Sequence, residues 1–274
     1  MYAIEDLKKN ILDIWEEKNL QDKKLCSSDH VKFHIDQMLR LLTEGKIRSC
    51  DNNNGSWTLN SWIKKGILLL FKTVKSNCFL QDKIYYRDKI LPLRGEDLNE
   101  GVRLVPTCYV RGGVFLGKNV IVMPSFINIG AYVDANTMID SYATIGSCAQ
   151  IGKNCHISSN AVIAGVLEPL QSMPVIVEDE CFVGAGSVLS EGVIIRKGSV
   201  LGAGVVLTAT TKIFNLQTGE ISQQEIPPYS VVVPGVMKSR NSEIFMQSAV
   251  IIKTVDASTR KKTSINELLR DKEH

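Results

Sequence analysis

An aliphatic residue returns every six positions through the middle of the chain: Ile121, Ile127, Val133, Ile139, Ile145, Ile151, Ile157 and Ile163, then Val177, Val183, Leu189, Ile195, Leu201 and Leu207. Four places after nearly every one of these stands a small residue: Ser125, Ala131, Thr137, Ala143, Ala149, Cys155 and Ala161 in the first run, Cys181, Ser187, Val193, Ser199 and Val205 in the second. An α-helix repeats every 3.6 residues and cannot hold this pattern on one face. A hexad repeat instead predicts short parallel strands wound into a coil, in which no repeat buries its apolar side alone and each must stack on its neighbours. Strands of a sandwich would alternate with period two between turns 8 to 12 residues apart, which fourteen hexads in one register do not do. The step from Ile163 to Val177 is fourteen residues, which reads as two residues inserted beyond two hexads. Glycine follows the aliphatic in Ile145-Gly146, Ile151-Gly152, Val183-Gly184 and Leu201-Gly202, where it is expected to supply corner conformations.

The flanks follow other periods. Ile4, Leu7, Ile11 and Ile14 have helical spacing; Ser28 is placed to cap a second helix running to Leu42 and stopped by Gly45; Ser61 is placed to cap a third. Asp51-Asn52-Asn53-Asn54-Gly55 is turn chemistry between two short segments and predicts a hairpin. The expected organisation is an α-rich N-terminal domain over residues 1–100, a coil over 101–235 with an insert near 165–176 and a hairpin near 213–228, and a small mixed C-terminal segment over 236–274. In that last part 249–255 reads as a strand and 264–270 as a helix.

Composition narrows the chemistry. With 274 residues and 44% apolar content the chain can bury a sizeable core in one or two domains. Its net charge of +3, with acids and bases interspersed, points to neither nucleic acid nor a membrane surface as partner. No apolar run approaches the ~20 residues of a bilayer span, and no secretory h-region opens the chain, so a cytoplasmic location is expected. Seven cysteines without a C-x-x-C spacing argue against a disulfide framework. Of the four histidines, His30, His34, His156 and His274, only His156 lies in the repeat, too few for a three-histidine zinc site there. His156 is a candidate base, and Asp140 and Asp134 stand just after inward aliphatics, near coil edges. Arg103 and Arg111 precede the first regular hexads, where a guanidinium fork would suit a carboxylate.

These residues sit in longer motifs. Trp57 and Trp62-Ile63-Lys64-Lys65, the Arg103-Leu104-Val105-Pro106 run, residues 123–134 (MPSFINIGAYVD), 146–154 (GSCAQIGKN), the insert 165–171 (GVLEPLQ) and the tail segments 249–253, 255–260 and 265–270 together resemble the tetrahydrodipicolinate N-succinyltransferase family of hexapeptide-repeat transferases. The resemblance runs nearly end to end. It implies a mainly β fold built on a left-handed parallel β-helix, with three hexads to a turn and hence about five coils. It implies transfer of a succinyl group from succinyl-CoA, as co-substrate, to the amine of ring-opened tetrahydrodipicolinate in lysine and diaminopimelate biosynthesis. A homotrimer, no permanently bound cofactor and no metal are implied with it. It carries substrate binding onto Arg103 and Asp140, with Asp140 orienting the amine; Lys253 and Arg260 become candidate contacts for CoA phosphates. One departure stands out: Gly186 and Val188 occupy the places where familiar members carry an arginine and a catalytic glutamate. Glu191, three residues on, is the closest acid in sequence to replace it, and Glu168 in the insert is another candidate. An N-acetyltransferase, another CoA-dependent acyltransferase, or a non-enzymatic scaffold remain readings of the same scaffold.

Overall fold

The computed structural model describes residues 4–17, 29–81, 84–239 and 243–262. Among the described residues three helices precede the coil: α1 (Ile4–Glu16), α2 (Asp29–Thr43) and α3 (Ser61–Thr73). Leu7 and Ile11 of α1, Ile35 and Met38 of α2, and Ile63 and Ile67 of α3 are buried together, as their helical spacing requires. Gly66 is in the middle of α3 because a Cβ there would come within 2.2 Å of the Met38 sulfur; its absence lets α2 and α3 close on each other. The Ser28 cap and the 264–270 helix fall outside the described residues. Asn60 holds the N-cap position of α3 and Ser61 begins the helix, one place earlier than the capping pattern suggested. The expected hairpin forms between Cys50–Asn53 and Ser56–Leu59. A second hairpin, Asn77–Gln81 with Ile84–Asp88, was not legible, because its strands show no clean alternation.

From Arg103 onward two-residue strands rotate among three parallel sheets. Face 1 carries Arg103–Leu104, Ile121–Val122, Met138–Ile139, His156–Ile157, Phe182–Val183, Val200–Leu201 and then the longer Ser230–Lys238. Face 2 carries six strands from Tyr109–Val110 to Val206–Leu207, and face 3 six from Phe115–Leu116 to Glu225–Ile226. The chain visits them in the order 1, 2, 3, so Val133 stacks under Ile151 after one turn of eighteen residues. The coil has six turns rather than five. Leu104, Val110 and Leu116 already point inward, with Cys108, Val114 and Val120 four places on, but they lie one residue out of register with the run that starts at Ile127.

Three expectations change at this level. Val122, fully buried, faces the core in place of Ile121, and pairs with Ile139; the turn there is seventeen residues, one short, lost at the Pro124 corner. The insert adds eight residues to a single hexad, between Ile163 on face 2 and Val177 on face 3. Finally, the glycines after the aliphatics do not provide positive φ. The left-handed corners lie two residues further on, at Asn136, Tyr142, Cys148, Asn154 and Asn160, with φ from 55° to 67°. Gly146 and Gly184 are glycine for closeness: an added Cβ would meet the next coil's backbone at 1.9 and 2.4 Å.

The small slots are explained by the same closeness. Thr137 donates its hydroxyl to Gly152 O (2.8 Å), Ser187 to Gly202 O (3.1 Å) and Ser199 to Pro227 O (2.9 Å), each bonding a carbonyl of the next coil. Strand Phe245–Thr254 pairs with Ser230–Lys238 and covers the last coil, so the stack does not end in an open edge.

Each edge of the prism is treated differently. Ile129 and Cys148, at the edge between faces 2 and 3, belong to the helical core, and the insert joins them there through Leu167. Lys64 of α3 is fully buried and donates to Ser172 O of the insert at 2.5 Å; burial pulls its pKa below the ordinary lysine value. Lys64→Met, which keeps the stem but leaves that carbonyl without its donor, is expected to cost about 1–3 kcal/mol in urea unfolding. An unchanged midpoint would refute the clamp. Burial also pushes the thiols of Cys50 and Cys148 up to about 12, from an ordinary value of 9.0. The unfolded chain sheds these protons first as pH rises, so their stabilisation is complete below pH 9 and is lost between 9 and about 12. Urea midpoints should fall over that range by up to about 1.4 kcal/mol per pH unit per thiol. A midpoint flat to pH 11 would contradict it.

Candidate functional site

Helices and insert cover the edge between faces 2 and 3, and the first hairpin lies against the edge between faces 3 and 1. Among the described residues no element covers the edge between faces 1 and 2. Asp140 stands on it, directly after Ile139. Its amide donates to Ile157 O (2.9 Å) and its Oδ1 accepts the Ser141 amide (2.7 Å), which fixes the carboxylate against the corner. Its Oδ2 is 3.8 Å from Nε2 of His156, one coil further along face 1. The His156 ring is 5.3 Å from Phe182 in the coil after that, so the imidazole has an aromatic backing on one side and solvent on the other. Two candidates that sequence separates by sixteen residues are thereby brought together, because eighteen residues make one turn.

Tyr142 was missed by the sequence reading. It stands on the same edge, 72% exposed, with φ 60°. The left-handed region is costly for a bulky side chain, and such strain gathers at functional sites. Its signal was a tyrosine in a slot that mostly holds asparagine or glycine. The amides of Ser159 and Ala185, at the same edge, donate to no group among the described residues.

Arg103 opens face 1, two coils before Asp140 and hence about 10 Å away along the stack. Its exposed guanidinium forms no ion pair among the described residues. Arg111 is committed elsewhere, to Asp88 (2.6 Å) and Asn128 (3.0 Å). Gly186 and Val188 lie at the same edge, in the coil beyond His156: Gly186 is a corner with open space around it, and Val188 turns its side chain outward on face 2. Glu191 is on the next edge, between faces 2 and 3, where it accepts the Ala209 amide (3.0 Å). Glu168 is in the insert at that same edge, so neither acid joins Asp140. Asp134 follows face 3 and belongs to the third edge. Lys253 pairs with Val231 in the strand beyond the last coil. Arg260, expected to face phosphates, turns Nε and Nη2 of its guanidinium onto the carbonyls of Gly198 and Glu180, both at 3.2 Å. Among the described residues no group of three or more His, Cys, Asp or Glu gathers as a metal site would require, and no helix is long and apolar enough to cross a membrane.

The arrangement can hold an acid beside an imidazole at an open edge, with unpaired backbone donors next to both. Comparison with known proteins identifies the family. Residues 6–73 match the family model described as the tetrahydrodipicolinate N-succinyltransferase N-terminal region, and residues 130–165 and 174–209 match two hexapeptide-repeat models, one of bacterial transferases and one of succinyl-transferases. The chain is 46% identical to the 2,3,4,5-tetrahydropyridine-2,6-dicarboxylate N-succinyltransferase of a Wolbachia strain from Brugia malayi, over 98% of this chain and 99% of that one. It is 47% identical to the enzyme of the same name from Rickettsia akari, covering 96% and 98%, and 48% identical to that of Wolbachia pipientis wMel, covering 95% and 97%.

Proposed function

Because the chain belongs to the family of 2,3,4,5-tetrahydropyridine-2,6-dicarboxylate N-succinyltransferases, CoA-dependent acyltransferases of lysine and diaminopimelate biosynthesis, we propose that it performs that succinyl transfer at the edge between faces 1 and 2. The observation that carries this reading is the approach of Asp140 to His156 within 3.8 Å on the edge that no element covers among the described residues.

The amine of the ring-opened dicarboxylate attacks the thioester carbonyl of succinyl-CoA. His156 accepts the proton that the nitrogen loses as the C–N bond forms, and Asp140 orients the imidazole and steadies the imidazolium. A 3.8 Å separation is ordinary for such a pair before substrate binds and tightens around it. The tetrahedral oxyanion is held by the edge amides of Ser159 or Ala185. When the C–S bond breaks, the proton passes from the imidazolium to the leaving thiolate, so CoA departs as the free thiol. In this scheme His156 does the work that the glutamate does in familiar members, which is why Val188 is tolerated. Arg103 holds a substrate carboxylate by bidentate pairing.

Ile121, Met138 and Phe182 on face 1, and Phe126, Val162, Val188 and Val206 on face 2, present half-buried apolar side chains on either side of this edge. A homotrimer that packs face 1 of one copy against face 2 of the next would bury both and close the edge into a slot for the pantetheine arm. The coil is read as left-handed on the strength of its hexapeptide-repeat matches.

The test is thiol release by purified protein given succinyl-CoA and the dicarboxylate, with acetyl-CoA as the competing donor and sedimentation for assembly. Preference for the succinyl donor in a particle of three chains is expected. Preference for acetyl-CoA would move the reading to the N-acetyltransferase, and a stable trimer that releases thiol from no acyl-CoA would make the coil a scaffold.

A further inference from the structure

The edge between faces 3 and 1, on the far side of the prism from Asp140, holds a cavity of about 310 Å³ beneath the first hairpin. That is the lower end of the range for small-molecule pockets. Its wall is built around Arg48. The guanidinium lies 3.8 Å from the centre of the Tyr132 ring and 5.4 Å from that of Trp57, and its Nε donates to Gln150 Oε1 at 2.8 Å. Gln150 is itself buried and anchored to Ser49 and to Cys148 O, so the arginine is held at its stem and both faces by a rigid surround. Its two terminal nitrogens have no hydrogen-bond or ion-pair partner among the described residues. Burial pulls the guanidinium's pKa down, and Tyr132, Asp134 and Asp51 only partly counter it.

Two carboxylates share the cavity without reaching that arginine. Asp134 spends Oδ1 on the Ala135 amide (2.7 Å) and Asp179 spends Oδ1 on the Lys153 amide (2.8 Å), which leaves one oxygen of each uncommitted among the described residues. Of the other charges there, Glu178 accepts from Trp57, Arg196 and the Lys197 amide, and Lys197 pairs with Glu180, while the exposed Lys153 ammonium has no ion pair among the described residues. Besides that exposed ammonium, what is left is a planar cation edge and two free carboxylate oxygens, rigidly mounted and held apart. A pair meant only for stability would close into contact, because separated half-buried charges keep their desolvation cost without the Coulomb return.

We propose that this cavity binds a small α-amino acid as its zwitterion, the carboxylate on the terminal nitrogens of Arg48 and the ammonium between Asp134 and Asp179. A guanidinium fork selects the planar carboxylate, and two acids rather than one select a group with three donor hydrogens. A simple anion would meet Asp134 and Asp179 with repulsion, and a diamine would meet Arg48. The site is independent of the acyl-transfer edge.

Thermal melts of the full-length protein test it, with L-lysine and L-glutamate as zwitterionic probes, succinate as the anion and 1,5-diaminopentane as the cation. An amino acid at about ten times its Kd should raise Tm by roughly 3 °C. The shift should persist in Asp140→Ala, which separates it from binding at the proposed catalytic edge. It should vanish in Arg48→Gln and, should that variant fold poorly, in Asp134→Asn, whose side chain still caps its own turn. Equal shifts with succinate alone or the diamine alone, no shift with either amino acid, loss in Asp140→Ala, or retention in both cavity variants would each overturn the proposal.

Discussion

Asp140→Ala is expected to release CoA thiol about 10²–10⁴-fold more slowly than the wild-type chain, the range over which positioned acid–base groups act. The expectation rests on geometry. Asp140 touches His156 through Oδ2 and its own corner through Oδ1, so the variant removes the imidazole's partner while the backbone bond from residue 140 to Ile157 O stays in place. His156→Gln should lose a similar factor, and the double variant little more than either single one, because groups that move one proton fail together. Unchanged melting of the single variants would assign the loss to chemistry rather than folding. If Asp140→Ala kept its rate within a factor of about three, the pair would have no part in the reaction, although the fold would stand. Full additivity of the two losses would mean that they act separately, with His156 serving some other purpose.

Ile157→Ala should cost about 2–5 kcal/mol of unfolding free energy, the largest stability loss expected from one substitution here. Ile157 has no exposed surface and lies between Ile139 and Val183 in the inward column of face 1. The neighbours above and below are fixed by backbone hydrogen bonds one coil away, so the space cannot collapse as it would in a looser core. Urea unfolding with an unchanged slope and a lower midpoint would report it. A loss below about 1 kcal/mol would mean that the coils relax towards each other, contrary to the rigid stacking read from their registers.

Lys64 and Cys148 show why the helical domain and the coil stand or fall together. Cys148 is a corner residue of the coil that is buried in the helical core, while Lys64 of α3 reaches the insert that leaves the coil one turn later. Both contacts lie along the edge between faces 2 and 3, away from Asp140 and His156.

The hexads were legible before any coordinates because the constraint behind them is local: a strand of two residues and a corner of four, repeated, leaves the same inward position every six residues. That regularity held from Ile127 to Ile163 and again from Val177 to Leu207. It failed at Val122 beside the shortened corner and in the first coil, whose inward residues Leu104, Val110 and Leu116 are put one residue out of register with the rest by that corner. It also misread the glycines, since one residue type answers two demands, positive φ and close approach, and only the neighbouring coil says which.

The pairing of Asp140 with His156, the separation of Glu191 and Glu168 onto another edge, the turning of Arg260 onto carbonyls and the cavity at Arg48 were decided by tertiary structure alone. Whether two side chains meet depends on which of three edges each corner occupies and on the exact length of every turn, and one residue more or less moves a side chain from one edge to the next. Periodicity along the chain therefore dictated the architecture and its core. The chemistry at its edges came from stacking, which sums all the small departures from that period.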